Sequence, residues 1–147
     1  MKYIISAFAI TVFSGCTSIA SNSVYPVTRN SSPSEAQFTV TKVSRKIIEK
    51  TDIAGSDEEL RLMLIDFPPE FSNVPHTHPV VGLCYIIEGV AESQYEGEDL
   101  KTLHAGDSYQ DSATKKHLLF RNSSETDALK FTCAAKIKKG QEFMQPL

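Results

Sequence analysis

The chain has 147 residues, of which 41% are hydrophobic, and a formal net charge of −3. A chain of this length and composition can bury one modest core, which excludes a second domain of ordinary size. It carries no basic field and no Lys/Arg cluster interleaved with aromatic residues, so a nucleic-acid partner is excluded and a small-molecule ligand is favoured.

The first residues have the pattern of an export signal. Lys2 precedes an apolar stretch from Tyr3 to Phe13 that only two hydroxyl residues interrupt. Spanning a bilayer takes about 20 apolar residues, so this stretch is too short for a transmembrane helix but suits the core of a signal peptide. We therefore expect residues 1–15 to be a signal peptide and the protein to be exported.

A cysteine follows the apolar stretch directly. Ser14, Gly15 and Cys16 resemble the processing site of bacterial lipoproteins, in which the cysteine becomes the lipid-bearing first residue. This predicts a periplasmic or outer-membrane-anchored lipoprotein whose contact with the membrane is the lipid on Cys16. The alternative is a plain secretory signal cut between Gly15 and Ser23; a single cysteine at this place favours lipidation.

Residues 16–36 are rich in Ser, Asn, Thr and Pro, which predicts a disordered tether. Residues 37–140 form the predicted domain. Partial alternation from Phe38 to Lys50 favours one or two opening strands, and Leu60 to Phe67 predicts a further strand that ends at Pro68-Pro69.

Two histidines, His76 and His78, lie at i and i+2 near the middle of the chain. In an extended strand these side chains leave the same face, so the two imidazoles can converge on one point. The residues from Val80 to Tyr95 predict a β-meander, which can bring His117 alongside them.

The strand predicted from Val80 to Ile87 is apolar on both faces. By alternation Gly82, Cys84 and Ile86 share the face of the histidines, while the other face should meet a second sheet or a partner subunit. A homodimer is therefore expected.

The rest of the chain adds further short strands. Leu118 to Phe120 predicts one, Ala128 to Ile137 predicts the closing one, and residues 141–147 read as a loose C-terminal tail. The pattern is that of an all-β barrel or sandwich of about eight to ten strands.

The central motifs resemble those of the cupin superfamily over about two-thirds of the chain. The matching residues are His76-x-His78-Pro79, Tyr85-Ile86-Ile87-Glu88-Gly89, Leu103-x-Ala105-Gly106-Asp107 and His117. The resemblance implies a single-domain, cupin-type double-stranded β-helix, the jelly-roll barrel, in which His76, His78 and His117 hold a divalent metal ion.

The sequence departs from the cupin pattern at several positions. Gly82 stands where the family places a glutamate ligand, Ser112 and Thr114 replace the Pro and Gly before the last histidine, and the closing Asn is displaced to Asn122. A three-histidine site would keep the full charge of a divalent Fe, Mn, Zn or Ni ion and leave a coordination position open.

Other side chains are candidates for the missing carboxylate. Asp111 can reach inward from its strand, and Glu92 or Gln94 can do so from the strand after Gly89, although an exposed position is favoured for Glu92. Tyr109 can supply a phenol as a hydrogen-bond donor or acid.

The remaining histidine and two cysteines have structural interpretations. His104 is assigned to the surface. Cys84 and Cys133 both fall in predicted strands, so a bridge is possible, but two buried free thiols are favoured. A free Cys84 facing inward is also a conceivable soft ligand.

The resemblance implies a metal-dependent, dioxygenase-like oxidoreductase acting on a small anionic or chelating molecule. Asp111 or Tyr109 would then handle a proton as the catalytic group. One alternative is a non-catalytic module, tethered to the membrane, that holds a metal or small ligand. Another is an interaction scaffold without metal.

Overall fold

A computed structural model describes residues 40–147. The predicted signal peptide, Cys16 and most of the tether lie outside the described residues. Ten strands are present in the described part: β1 (Ser44–Asp52), β2 (Glu58–Phe67), β3 (His76–Thr77), β4 (Gly82–Glu88), β5 (Val90–Tyr95), β6 (Lys101–His104), β7 (Ser108–Asp111), β8 (His117–Asn122), β9 (Leu129–Lys138) and β10 (Gln145–Pro146). Over the same residues, no helix has the length and apolarity needed to cross a bilayer.

The strands form two five-stranded antiparallel sheets. One has the order β1-β2-β9-β4-β7 and the other β10-β3-β8-β5-β6. Neighbours that are distant in sequence, such as β2 with β9 and β3 with β8, make this a jelly roll. The predicted all-β jelly-roll fold is confirmed.

Alternation along the long strands directs one apolar face inward. On β2 the buried residues Met63, Ile65 and Phe67 alternate with partly exposed ones, and β9 repeats the pattern. Phe67 packs edge-on against three aromatic rings, those of Phe71, Phe120 and Phe131. These contacts place the main apolar cluster between the two sheets.

The tight turn from β4 to β5 depends on Gly89 and carries the chain from one sheet to the other. The β-meander predicted from Val80 to Tyr95 was therefore wrong. Gly89 has a φ of +84°, and a Cβ at this position would lie 2.6 Å from the carbonyl oxygen of Ala128. Both the left-handed backbone and the close approach of β9 require a glycine.

The outer face of β4 is apolar and faces solvent in the single chain. Leu83 is 66% exposed and Tyr85 is 47% exposed. In register with them across β9 and β2 lie two leucines, Leu62 and Leu64. The inner face of β4 carries Gly82, Cys84 and Ile86, as the alternation predicts.

Residues 141–147 differ from the loose tail that the sequence suggests. Gln145 and Pro146 pair with Thr77 and His76 as strand β10. The ring of Phe143 packs against the main apolar cluster. The burial of this ring offsets the entropic cost of ordering the segment. Residue composition alone does not indicate such a tertiary contact.

Cys84 and Cys133 are joined in a disulfide. The preference for two free thiols was wrong, because the two residues face each other directly across β4 and β9, with Cα atoms 4.1 Å apart. Register between distant strands decides the pairing, and sequence spacing does not reveal it.

Candidate metal centre

Three buried histidines converge inside the barrel. His76 on β3 lies directly opposite His117 on β8, and His78 follows β3 on the same side. Each of the three offers one ring nitrogen, and these three atoms lie within 4.8 Å of one another. The meeting of His76, His78 and His117 that the sequence predicts is confirmed.

The other ring nitrogen of each histidine is held by a neighbour. His76 Nδ1 lies 2.8 Å from the carbonyl oxygen of Val74, and His78 Nδ1 lies 2.9 Å from that of Phe143. A carbonyl only accepts, so both Nδ1 atoms carry the proton and both Nε2 atoms keep their lone pair. His117 Nε2 lies 2.9 Å from Ser93 Oγ, which leaves Nδ1 facing the cluster.

Two of the inward nitrogens have no partner. His78 Nε2 and His117 Nδ1 are buried and make no hydrogen bond. Burial lowers the pKa of all three histidines, that of His117 to about 3. Neutral imidazoles with anchored outer nitrogens and free inner lone pairs are the arrangement that proteins use to bind transition metals.

Asp111 lies beside the three histidines. Its Oδ1 atom is 3.6 Å from His78 Nε2 and 3.8 Å from His117 Nδ1. The residue is 3% exposed, and burial raises the pKa of its carboxyl group to about 6. The sequence left the orientation of Asp111 open, and the structure directs it inward from β7.

Two residues that the sequence did not suggest support the centre. Tyr95 stacks on His117 with ring centroids 4.0 Å apart, and its hydroxyl donates a 2.7 Å hydrogen bond to Asp111 Oδ1. Ser93 holds the outer nitrogen of His117. Both side chains lie on the buried face of β5.

Glu92 lies outside the centre, as favoured, and the alternative that Glu92 or Gln94 reaches it was wrong. They lie on the opposite face of β5, where Glu92 pairs with Arg121 at 2.6 Å and Gln94 bonds the carbonyl of Glu98. The signal was in the sequence, because the alternate residues of this strand, including Ser93 and Tyr95, are the less polar set.

Gly82 lies next to the centre, opposite Asp111 in the β4–β7 register. A Cβ built at Gly82 would lie 2.5 Å from Phe143 Cζ and 3.2 Å from Asp111 Oδ2. The space that a side chain at position 82 would use is therefore taken by the ring of Phe143 and the carboxylate of Asp111.

Tyr109 and His104 occupy different environments. The Tyr109 hydroxyl lies 3.9 Å from Cys133 Sγ, and the residue lines the same cavity as the histidines. His104 is exposed, as expected. Cys84 Sγ lies 3.4 Å from Asp111 Oδ2, but both cysteine sulfurs are committed to the disulfide, so Cys84 is not a thiolate ligand.

The centre opens into a cavity of about 450 Å³. Apolar side chains such as Met63, Ile65 and Phe131 form much of its wall. Arg45 and Lys50 of β1 also line it. The cavity is therefore a largely apolar chamber whose wall includes both the three histidines and cationic side chains.

Residues 63–134 match the family model described as a cupin domain. A cupin superfamily protein from Desulfitobacterium hafniense is similar in structure, with 18% identity, a TM-score of 0.52, and coverage of 67% of this chain and 80% of that one. No curated protein matches the sequence.

Two enzymes are also similar in structure. The polyketide cyclase RemF from Streptomyces resistomycificus has 15% identity and a TM-score of 0.55, with 74% of this chain and 73% of that chain covered. The DMSP lyase DddQ from Ruegeria pomeroyi has 20% identity and a TM-score of 0.51, with 62% of this chain covered. The present chain spans 44% of that lyase. These similarities identify the jelly roll as a cupin-type double-stranded β-helix.

Proposed function

We propose that this chain, which carries a cupin domain, binds one divalent metal ion through His76, His78 and His117. The observation that carries this proposal is the set of inward ring nitrogens, two of them buried without a partner, whose opposite nitrogens are all held. Leaving such atoms unpaired costs about 1–3 kcal/mol each, and a shared cation removes that cost.

The bound ion would supply Lewis-acid or redox chemistry to a ligand in the cavity. Nitrogen ligands with a nearby carboxylate suit Fe, Mn, Zn and Ni, so the ligand set is compatible with each of these metals. The residues of the chain would fix the geometry, because Val74, Phe143 and Ser93 prevent the imidazoles from turning.

The cavity favours a small anionic or chelating molecule. The Arg45 guanidinium donates a 2.6 Å hydrogen bond to the side chain of Asn73. Because Asn73 is neutral, this contact leaves the positive charge of Arg45 available to a ligand. Glu59 is shared between Arg61 at 2.7 Å and Lys50 at 3.5 Å, which leaves this group with a net positive charge. A carboxylate can therefore approach the metal while a cationic rim stabilises its far end.

A dioxygenase-like reaction also requires a group that takes or gives a proton near the ligand. Asp111 and Tyr109 both line the cavity and are our candidates for this role. The names of the structural neighbours, a polyketide cyclase and a DMSP lyase, support small-molecule chemistry by analogy of fold alone.

A non-catalytic module that holds a metal or small ligand is the second candidate. The observation that favours it is Phe143, whose ring occupies the space beside Gly82 and narrows the approach to the metal. Tight Zn binding without turnover would support this module, whereas bound Fe or Mn with oxygen uptake on a small carboxylate would support the enzyme.

Metal analysis of purified protein tests the site. We expect one equivalent of Fe, Mn, Zn or Ni in the wild type and a loss of most of it in His117→Ala. His104→Ala is the matched control, because His104 is an exposed histidine of the same domain and should leave metal content unchanged. The proposal is wrong if the wild type binds none of these ions, or if His117→Ala binds them equally well.

We further propose that the protein is exported and anchored through a lipid on Cys16. The basis is the N-terminal sequence alone. Cell fractionation of the wild type and Cys16→Ala tests this: the variant should leave the membrane fraction, and a cytoplasmic wild type would contradict export.

We also propose that the protein forms a homodimer through the outer face of β4. Burying the exposed Leu83 and Tyr85 against a second copy would remove a large apolar area from water. Leu83→Lys should therefore shift a dimer to monomer in analytical ultracentrifugation. A wild type that is monomeric at high concentration would contradict the dimer.

A further inference from the structure

We propose that Asp111 is the fourth protein ligand of this metal, delivered from β7 into the space left free by Gly82 on β4. This inference rests on the proposed three-histidine site and adds to it the group that completes the protein's coordination. It assigns to Asp111 a direct bond to the cation, which leaves Tyr109 as the remaining candidate for the group that handles a proton.

The first support is the distance from Asp111 to the histidines. Oδ1 lies 3.6 Å from His78 Nε2 and 3.8 Å from His117 Nδ1, and both nitrogens lack hydrogen-bond partners. Two ligands on one tetrahedral ion with bonds of about 2.1 Å are separated by about 3.4 Å. The two separations from Asp111 Oδ1 are therefore within a few tenths of an ångström of that value.

The second support is the register of β4 and β7. Gly82 and Asp111 are directly paired across these strands, so their side chains leave the sheet on the same face. A Cβ at position 82 would lie 3.2 Å from Asp111 Oδ2. A side chain from either strand thus enters the same volume, which in this chain Asp111 shares with the ring of Phe143.

The third support is the environment of the carboxylate. Asp111 is 3% exposed, and no Lys or Arg side chain among residues 40–147 lies within ion-pair distance of its carboxylate. A buried carboxylate without a positive partner is costly. A divalent cation between Asp111 and the imidazoles supplies that partner.

Tyr95 orients the carboxylate toward the histidines. Its hydroxyl donates to Oδ1 at 2.7 Å and accepts from the Ser112 amide at 3.3 Å. Hydrogen bonds of this kind hold a ligating carboxylate in one orientation. The phenol is neutral and does not change the charge of the site. With Asp111 as the one charged ligand, a divalent ion gives the site a net charge of +1.

Metal affinity and the electronic spectrum of bound cobalt test the assignment. Competition with a chelator should show that Asp111→Asn binds Co²⁺ at least about 100-fold more weakly, beyond the tenfold to hundredfold loss typical of a group that only supports a ligand. The d–d bands should also change shape, because an oxygen ligand has been lost.

Glu142→Gln is the matched control, since it removes an exposed carboxylate from the wall of the same cavity. It should leave both the affinity and the bands unchanged. Equal losses in Asp111→Asn and Glu142→Gln would show a general charge effect and overturn the inference.

A further experiment guards against misfolding of the variant. In wild-type protein labelled with ¹³C at aspartate carboxyls, Zn²⁺ should shift the Asp111 resonance strongly, and a resonance that does not move overturns the inference.

The two proposals fail in different ways. A wild type that binds no divalent ion contradicts the three-histidine site and this inference together. A wild type that binds metal, with an Asp111→Asn variant of equal affinity and spectrum, contradicts the role of Asp111 alone.

Discussion

Replacing Ser93 by alanine should weaken metal binding although Ser93 does not touch the metal. Ser93 is 4% exposed, and its Oγ atom lies 2.9 Å from His117 Nε2. Without it, the outer nitrogen of His117 is buried without a hydrogen-bond partner and the ring loses one of its two restraints. The other restraint, the Tyr95 ring stacked at 4.0 Å, remains.

The size of the effect follows from that remaining restraint. Loss of a residue that supports a metal-binding histidine costs about 10–100-fold in affinity. Because Tyr95 still fixes the plane of the His117 ring, we expect the lower end, about tenfold, which is about 1.4 kcal/mol. The metal-free protein should also lose about 1–2 kcal/mol of unfolding free energy through the unpaired ring nitrogen.

Chelator competition with Zn²⁺ and urea unfolding of the metal-free protein measure these two quantities. Ser108→Ala is the matched control, because Ser108 is an exposed serine on a strand of the same barrel. Ser93→Thr keeps the hydroxyl and should recover most of the affinity. If Ser93→Ala binds Zn²⁺ as tightly as the wild type, the anchoring of His117 does not determine the affinity and the reasoning fails.

Three further predictions concern the disulfide, the turn after β4 and the cavity rim. Replacing Cys84 and Cys133 by serine should lower the unfolding free energy by up to about 4 kcal/mol, as expected for a cross-link over 49 residues, and urea unfolding that is unchanged would contradict this. Gly89→Ala should destabilise the fold by at least about 2 kcal/mol through its positive φ and its contact with the Ala128 carbonyl, as thermal melting would show. Arg45→Gln should weaken oxalate binding to the metal-loaded protein about tenfold in calorimetry, because a charge-assisted contact is lost. Equal affinity in the variant and the wild type would show that the anion does not contact Arg45.

The convergence of His76 and His78 could be predicted because their signal is local. The i and i+2 spacing of these residues places both on one face of any extended strand. His117 was assigned because its position resembles the cupin pattern, and the pairing of β3 with β8 brings it opposite His76. The alternation of β4 likewise directed Gly82 inward, as observed.

The carboxylate and the supporting residues depend on register, which the sequence does not state. The inward direction of Asp111 follows from its pairing with Gly82 across β7 and β4. These two strands differ in length and are separated by a long connection. The direction of β5 was open to inference, since Ser93 and Tyr95 are the less polar alternate set, but a serine and a tyrosine carry no sequence signal of a role beside a metal site.

The C-terminal segment was the least predictable part of the centre. Residues 141–147 carry few strand-forming residues, and their order comes from Phe143, which packs into the barrel, and from two pairs with β3. Such tertiary contacts override weak local preference. The disulfide has the same origin, because it reflects the register of β4 and β9.

Phe143 links the binding of a metal ion to the docking of residues 141–147, the segment to which it belongs. Its carbonyl oxygen holds the His78 ring, and the ring centroids of the two residues lie 4.7 Å apart. By thermodynamic reciprocity, an ion that binds more tightly when this segment is docked must strengthen the docking by the same factor. Amide hydrogens of residues 141–147 should thus exchange with solvent more slowly in the loaded protein, which makes this short segment an internal reporter of metal status.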